Sequence, residues 1–385
     1  MKSFSNTISR IAPLQLPQLP EERSLLRNLT NVHWGPLLAA LGLWLAGVLT
    51  IKSATSELGS DFVNRQLMWG AVSLVVLALV FAIDYRRLID LSPIFYLVSL
   101  VMLVLVLIFG HVAGGARSWI GIGGFGGQPS ELAKLLMALV LARYLANIDK
   151  AYLDLREILI ASGLTLVPMV LVVAERDLGG GAMFLSILGS MLVVAGLRPR
   201  FLIIAAVIGL LAAWVGWQWG LHDYQKARIV SFVSPEADPL GSGYQIRQSK
   251  IAVGSGQWMG RGYGQGTQSQ LRFLPARHTD FIMAVLAEEW GFLGVLVVFG
   301  LYLTYFGSAA TIAMRSRDRV GILLVTGLTA VQAVHVVYNT AMVVGLLPIT
   351  GVPLPFLSYG GSFTLINFMA TGLVLNVDLR RYVNR

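Results

Sequence analysis

The sequence predicts an all-α integral membrane protein with ten transmembrane helices and one large extracytoplasmic loop between spans 7 and 8. Three observations carry this. Hydrophobic residues make up 56% of the chain and charged ones only 13%, against about 25% charged in an ordinary soluble domain. Mean hydropathy is +0.71. Segments of roughly 17–25 residues almost free of charge recur along the chain, each long enough to cross a hydrocarbon core about 30 Å thick. This composition excludes a cytosolic enzyme, a nucleic-acid binder and a secreted disulfide scaffold, although a net charge of +9 would suggest a polyanion partner in a soluble chain. The absence of cysteine removes thiolate metal sites, Fe–S clusters and disulfides.

In chain order, residues 1–33 are polar, punctuated by Pro13, Pro17 and Pro20, and lack an apolar h-region, so they read as a cytoplasmic tail and not a signal peptide. A membrane domain over 34–377 follows. Its spans are expected at 34–51, 67–83, 93–110, 132–147, 158–174, 178–196, 201–220, 281–312, 320–345 and 356–377, with a short basic cytoplasmic tail over 378–385. Connections on the N-terminal side of the membrane carry Arg86, Arg87, Arg143, Lys150, Arg156, Arg198, Arg200, Arg315, Arg317 and Arg319. Short connections on the opposite side carry only Lys52, Arg65, Arg117 and Arg176. That asymmetry predicts both termini inside and makes much of the basic excess topological. The long connection 221–279 falls outside. Its length points to a functional loop rather than a linker.

Ionisable residues in or beside spans are the informative ones, because each costs about 2.5–3.5 kcal/mol or more at the bilayer centre. They are Glu131, Lys134, Glu175, Asp177, Asp280, Glu288 and Glu289. Glu131 and Lys134 stand three apart on a helix, where they can neutralise each other. Asp280 opens a hydrophobic helix directly after the long loop. It is either a helix cap or a group facing whatever the loop binds. Glu289 lies about 180° round that helix from Asp280, so one straight helix cannot aim all three carboxylates at one site.

The loop run GSGQWMGRGYGQGTQ offers glycines for N–H nests that could hold phosphate oxygens, or simply for tight turns. GARSWIGIGG, with Arg117 and Trp119, and PLPFLSYGGS, with Ser358, are two further Gly-rich outer segments. His335 lies within a span and reads as a hydrogen-bonded bundle residue. No histidines stand at metal-ligand spacing of the HExxH kind, and there is no G-x-S-x-G elbow.

The runs GARSWIGIGGFGGQPSELAKL, ERDLGGGAMF, YQIRQSKIAVGSGQWMGRGYGQGTQSQLRFLPARHTDFIMAVLAEEWGFLG and GLLPITGVPLPFLSYGGS, in that order, strongly resemble the SEDS family of bacterial membrane proteins. FLPARHTDFIMAVLAEE and GVPLPFLSYGGS are nearer its elongation (RodA) branch than its division (FtsW) branch. The resemblance implies a peptidoglycan glycosyltransferase of the bacterial cytoplasmic membrane, polymerising lipid II for cell elongation. It implies that Asp280 is the essential aspartate, with Trp119, Glu131, Lys134 and Asp177 at motif positions. It also implies a divalent cation (Mg or Mn), a class B penicillin-binding transpeptidase as partner, and other elongation-machinery membrane proteins.

Lipid II carries its sugar on a polyprenyl diphosphate, a leaving group that needs cationic stabilisation more than protonation. One base then suffices, unlike the paired carboxylates of glycoside hydrolases. Asp280 is expected to act as base or positioning group for the attacking hydroxyl, or to hold the cation. Arg261, Arg272 and Arg277 are expected diphosphate clamps. A lipid II flippase and a scaffold are the competing readings. Transport predicts a charged path through the bundle and broken helices, whereas the expected topology gathers Glu131, Asp177 and Asp280 near the outer face.

Overall fold

The computed structural model describes residues 29–381 apart from 114–115, 123–124, 221–222, 235, 237 and 239–240. The compact unit His33–Arg385 holds everything discussed below; residues 1–28 of the expected tail, and 382–385, lie outside the described residues. Helices α1 (Gly35–Ala54), α2 (Asp61–Ala82) and α3 (Tyr85–Phe109) open the bundle. Three strands, β1 (His111–Ala113), β2 (Ala116–Ile122) and β3 (Phe125–Gly127), form an antiparallel meander where a glycine-rich loop was expected. Helices α4 (Pro129–Ala146), α5 (Leu155–Ala174), α6 (Leu178–Ala195) and α7 (Pro199–Val215) follow. The long connection carries α8 (Asp223–Val233), α9 (Ser242–Ser255) and the single turn α10 (Thr267–Gln270). Helices α11 (Ile282–Arg315), α12 (Arg319–Val343) and α13 (Gly361–Arg380) complete the chain.

Among the described residues nine helices are long and apolar enough to cross a membrane. The expected fourth span, α4, is not one of them, because Glu131, Lys134 and Arg143 interrupt its 18 residues. It is instead buried on nearly every side, packed against α3, α5, α6 and α12. Lipid-facing helices must be apolar, whereas a helix wrapped by others can carry charges that pair internally.

Three helix starts differ from expectation by five residues or more, the first being α2, which begins at Asp61 and not at 67. Helix α3 begins eight residues before the expected 93, since Asp84 accepts a hydrogen bond from the Arg86 N–H at its N-terminus and Pro93 is tolerated inside. Helix α13 begins only at Gly361, because Pro355–Ser358 form a turn in which Phe356 takes φ 66°. That left-handed backbone is held by the Phe356 ring, buried against Tyr305 and Phe368.

One apolar core surrounds α4 and joins α6, α12 and α13 through residues such as Met137, Phe184, Leu324 and Val374. A second gathers the start of α11 with α1 and the Val352–Leu357 loop, through Leu43, Phe281, Tyr305 and Phe356. Helix α7 contributes no buried residue. The bundle has two polar ends. At one, Arg86 pairs with Asp318 at 3.3 Å, Arg380 with Asp84 at 3.3 Å and Arg381 with Asp378 at 2.7 Å. At the other, the long connection, the start of α4, the α5–α6 turn and the α12–α13 loop meet.

Candidate active site

Helix α11 is broken at Gly291, whose φ 65° and ψ −164° only glycine adopts readily. The break frees backbone groups that the glycine-rich run takes up. Arg261 N–H donates to Glu288 O at 2.9 Å and Gly262 N–H to Glu289 O at 3.1 Å; Phe292 N–H donates to Gln257 O at 2.8 Å and Leu293 N–H to Trp258 O at 3.2 Å. A Cβ at Gly291 would meet the backbone of Gly260 and Met259, and one at Gly260 would meet that of Glu289. Gly260 and Gly291 therefore let one backbone lie on another, and at Gly260 close packing accounts for the glycine.

The two glutamates beside the break are used in the same way. Glu288 accepts from the Gln268 N–H at 2.9 Å, the Ser269 N–H at 3.3 Å and the Thr267 hydroxyl at 3.2 Å. Glu289 accepts from the Ser53 hydroxyl on α1. Glu288 fastens the connection to α11, and Glu289 fastens α11 to α1.

Asp280 is treated differently. No side chain caps α11, whose N-cap residue is Phe281, so the capping reading of Asp280 falls away. Its backbone is clamped on three sides. Asn339 Nδ2 donates to Asp280 O at 2.8 Å, the Ser358 hydroxyl donates to Thr279 O at 2.7 Å, and the Tyr359 N–H donates to His278 O at 2.9 Å. Phe62 and Tyr359 meet the His278 ring edge to face. The carboxylate faces bare backbone, since a Cβ at Gly351 would stand 3.7 Å from Oδ2. Burial pushes the Asp280 pKa up to about 6; Arg228 opposes the rise and Asp177 adds to it. A carboxylate with a pKa raised towards neutrality is a better proton acceptor than an ordinary one.

Asp177 lies in the α5–α6 turn. Its Oδ1 accepts the Gly180 N–H at 2.7 Å and its Oδ2 accepts from Gln128 Nε2 at 3.1 Å. Burial raises its pKa, the Gly180 hydrogen bond lowers it, and Lys134, Glu131 and Arg228 act on it in turn. Two residues earlier, Glu175 is 1% exposed with neither carboxylate oxygen hydrogen-bonded. Burial, then the charge of Asp177, pushes its pKa up to about 8, so it is a neutral acid at pH 7. Between them Arg176 takes φ 69°. Lys134 and Glu131 form a buried ion pair at 2.8 Å.

Asp280, Asp177, Arg228, Lys134 and Glu131 are thus one electrostatically linked group drawn from four parts of the chain. The three arginines expected to clamp diphosphate are not in it. Arg277 is buried and donates to Ser269 O at 2.6 Å, Arg272 pairs with Glu57 at 3.2 Å, and Arg261 donates to Thr267 at 3.1 Å. The connection folds on itself, and nearness in sequence to Asp280 says nothing about where those side chains go. The cation that acts on Asp280 is Arg228, on α8; neither it nor Asn339 carries a local motif that sets it apart from its neighbours. Trp119 is half-buried on β2, next to α3 and α4, and the Arg117 side chain lies outside the described residues. Among the described residues no three His, Asp or Glu side chains gather into a metal-holding group.

The sequence model of the FtsW/RodA/SpoVE family, described as a cell cycle protein, matches residues 33–383. The peptidoglycan glycosyltransferase MrdB of Escherichia coli (strain K12) is 39% identical over 355 residues, covering 91% of this chain and 95% of that one. A solved structure of a peptidoglycan synthase complex that coordinates polymerization and crosslinking superposes with a TM-score of 0.79 at 30% identity, covering 91% and 98%. The rod shape determining protein RodA of Thermus thermophilus superposes at 0.69 and 28% identity, covering 92% and 99%.

Proposed function

The chain belongs to the FtsW/RodA/SpoVE family of cell cycle proteins, the SEDS family, and on that premise we propose that Asp280 performs the proton chemistry of a peptidoglycan glycosyltransferase. The chain polymerises lipid II into glycan strands for cell elongation and rod shape, and is a multi-pass membrane protein. The flippase reading is not favoured, since the relatives are named for glycosyl transfer.

An α-linked donor becoming a β-linked product requires one inverting displacement: an acceptor sugar 4-hydroxyl attacks the anomeric carbon as the diphosphate leaves. Asp280 takes the proton of that hydroxyl, its carboxylate aimed by the clamped backbone of residues 278–280. Arg228 meets the developing negative charge of the diphosphate, a role that guanidinium geometry suits. Asp177 and Gln128 fix the neighbouring wall. The single observation that carries this is the half-buried Asp280, its backbone clamped by Asn339 and its carboxylate within the field of Arg228 and Asp177.

The residues fit a divalent cation only as one that arrives with its own oxygen ligands, because among the described residues no cluster of three protein donors surrounds Asp280. Asp280 would hold such an ion alongside diphosphate and water oxygens, and the ion would neutralise leaving-group charge. A class B penicillin-binding transpeptidase and the elongation machinery are the proposed partners; a structural relative is part of a synthase complex. The cytoplasmic membrane, with both termini inside and the Asp280 end outside, is the proposed location, supported by the basic residues at the opposite end.

The test is polymerisation of lipid II by the purified chain with a divalent metal, and by Asp280→Asn. Glycan strands from the native chain and none from the variant are expected; strands from Asp280→Asn would remove Asp280 from the mechanism.

A further inference from the structure

His335 lies on α12, 3% exposed, and its two ring nitrogens have different neighbours. Nδ1 is 3.1 Å from the carbonyl oxygen of Pro353, and Nε2 is 3.4 Å from Nζ of Lys134. A carbonyl oxygen can only accept, so the ring proton sits on Nδ1. Nε2 then presents a lone pair, the ring is neutral, and the Lys134 ammonium donates to it. A second Lys134 N–H goes to Glu131 Oε1 at 2.8 Å. An ammonium has three donors, and the third has no acceptor among the described residues.

Glu131, Lys134 and His335 line one small cleft between α4, α12 and α13, which Gln332, Asn367 and Phe363 also face. Lysine carries a flexible four-carbon stem, so a single ion pair with Glu131 leaves its ammonium free to pivot. The imidazole removes that freedom without cancelling any charge. It also joins Lys134 to the α12–α13 loop, because Pro353 lies five residues from Ser358, which holds the carbonyl of Thr279 beside Asp280. Asp177 feels the charge of Lys134, although neither it nor Asp280 lines this cleft.

We propose that His335 is a positioning residue: acting through Lys134, it aims the third ammonium N–H into the cleft to receive a diphosphate oxygen of the lipid-linked sugar. This rests on the glycosyltransferase reading, and goes beyond it by giving a role to a histidine that no motif marks.

The experiment uses the full chain in nanodiscs, with two readouts: KM and kcat on lipid II, and binding of undecaprenyl diphosphate. His335→Phe keeps the volume and loses both hydrogen bonds. It should raise KM and weaken diphosphate binding about tenfold, equivalent to about 1.4 kcal/mol, and raise KM by a larger factor than it lowers kcat. His335→Gln, whose amide oxygen can reach Lys134, should recover most of the loss. His335→Asn, which keeps a donor for Pro353 but withdraws from Lys134, should behave like His335→Phe and serves as the second variant if the latter does not fold. In a Lys134→Met background, adding His335→Phe should cost nothing more, as expected of residues acting as one unit. Native-like diphosphate binding by His335→Asn, or losses that add to those of Lys134→Met, would overturn the proposal. A native chain that makes no glycan would instead overturn the glycosyltransferase reading, while the binding arm would still decide the role of His335.

Discussion

Asn339 ties Asp280 to the α12–α13 loop through one nitrogen, its Nδ2 donating to Asp280 O at 2.8 Å and to Val352 O at 2.7 Å. A buried amide that satisfies two carbonyls from separate segments fixes their spacing, and removing it leaves both without a donor. Asn339→Ala is expected to lower melting stability by about 1–3 kcal/mol. It should also lower kcat on lipid II at least tenfold, since the loss falls on the backbone that aims the carboxylate. Thermal melts and initial rates on the same preparation check both.

Arg228 should separate sharply from Arg261 and Arg272. Arg228→Ala is expected to cut kcat/KM on lipid II at least tenfold, the order of one lost charge-assisted hydrogen bond. The exposed Arg261 and Arg272, with partners at 3.1 and 3.2 Å, should change it less than about threefold on replacement by alanine, as exposed pairs do. Equal losses at all three would return Arg261 and Arg272 to the site.

Glu175 gives the protein a pH signature. Its native pKa of about 8 lies above the ordinary 4.5, so the folded chain keeps a proton that the unfolded chain releases. The contribution of this group to stability is therefore neutral below about pH 4.5, falls as pH rises through the window, and reaches its most unfavourable value above about pH 8. Glu175→Gln removes that slope. Relative to the native chain, the variant should gain stability steadily between those limits, on the order of 3 kcal/mol by pH 8. Melting curves at three pH values in detergent test it; a constant difference across the range would mean that Glu175 is ionised in the folded protein.

Gly291 should be the least replaceable residue of α11. Its φ 65° and ψ −164° are closed to residues with a Cβ, and the space for that Cβ is filled by the backbone of Gly260 and Met259. Gly291→Ala is expected to cost more than about 3 kcal/mol and to detach the glycine-rich run, seen as new protease cleavage between residues 256 and 266. Gly300→Ala, on the same helix with open space at its Cβ, should change neither.

The membrane class was legible at once, because apolar length against bilayer thickness is a one-dimensional property. Nine spans could be recognised from hydropathy alone. The tenth expected span shows where that logic weakens: Glu131, Lys134 and Arg143 make α4 look polar, and only its burial among other helices explains why they are tolerated. The importance of Asp280 was readable from an acidic group at the head of an apolar helix and from the motif around it.

What the sequence by itself determined was a polytopic helical bundle, its charge asymmetry, and the position of one carboxylate beside a long connection. The tertiary structure alone decided which cation's charge reaches that carboxylate, where the glycine-rich run packs, and that Lys134, His335 and Pro353 are hydrogen-bonded in series. The reason is directional: side-chain chemistry is written residue by residue, but a helix break at Gly291 and a loop folded back on itself choose which side chains meet, and no local pattern encodes that choice.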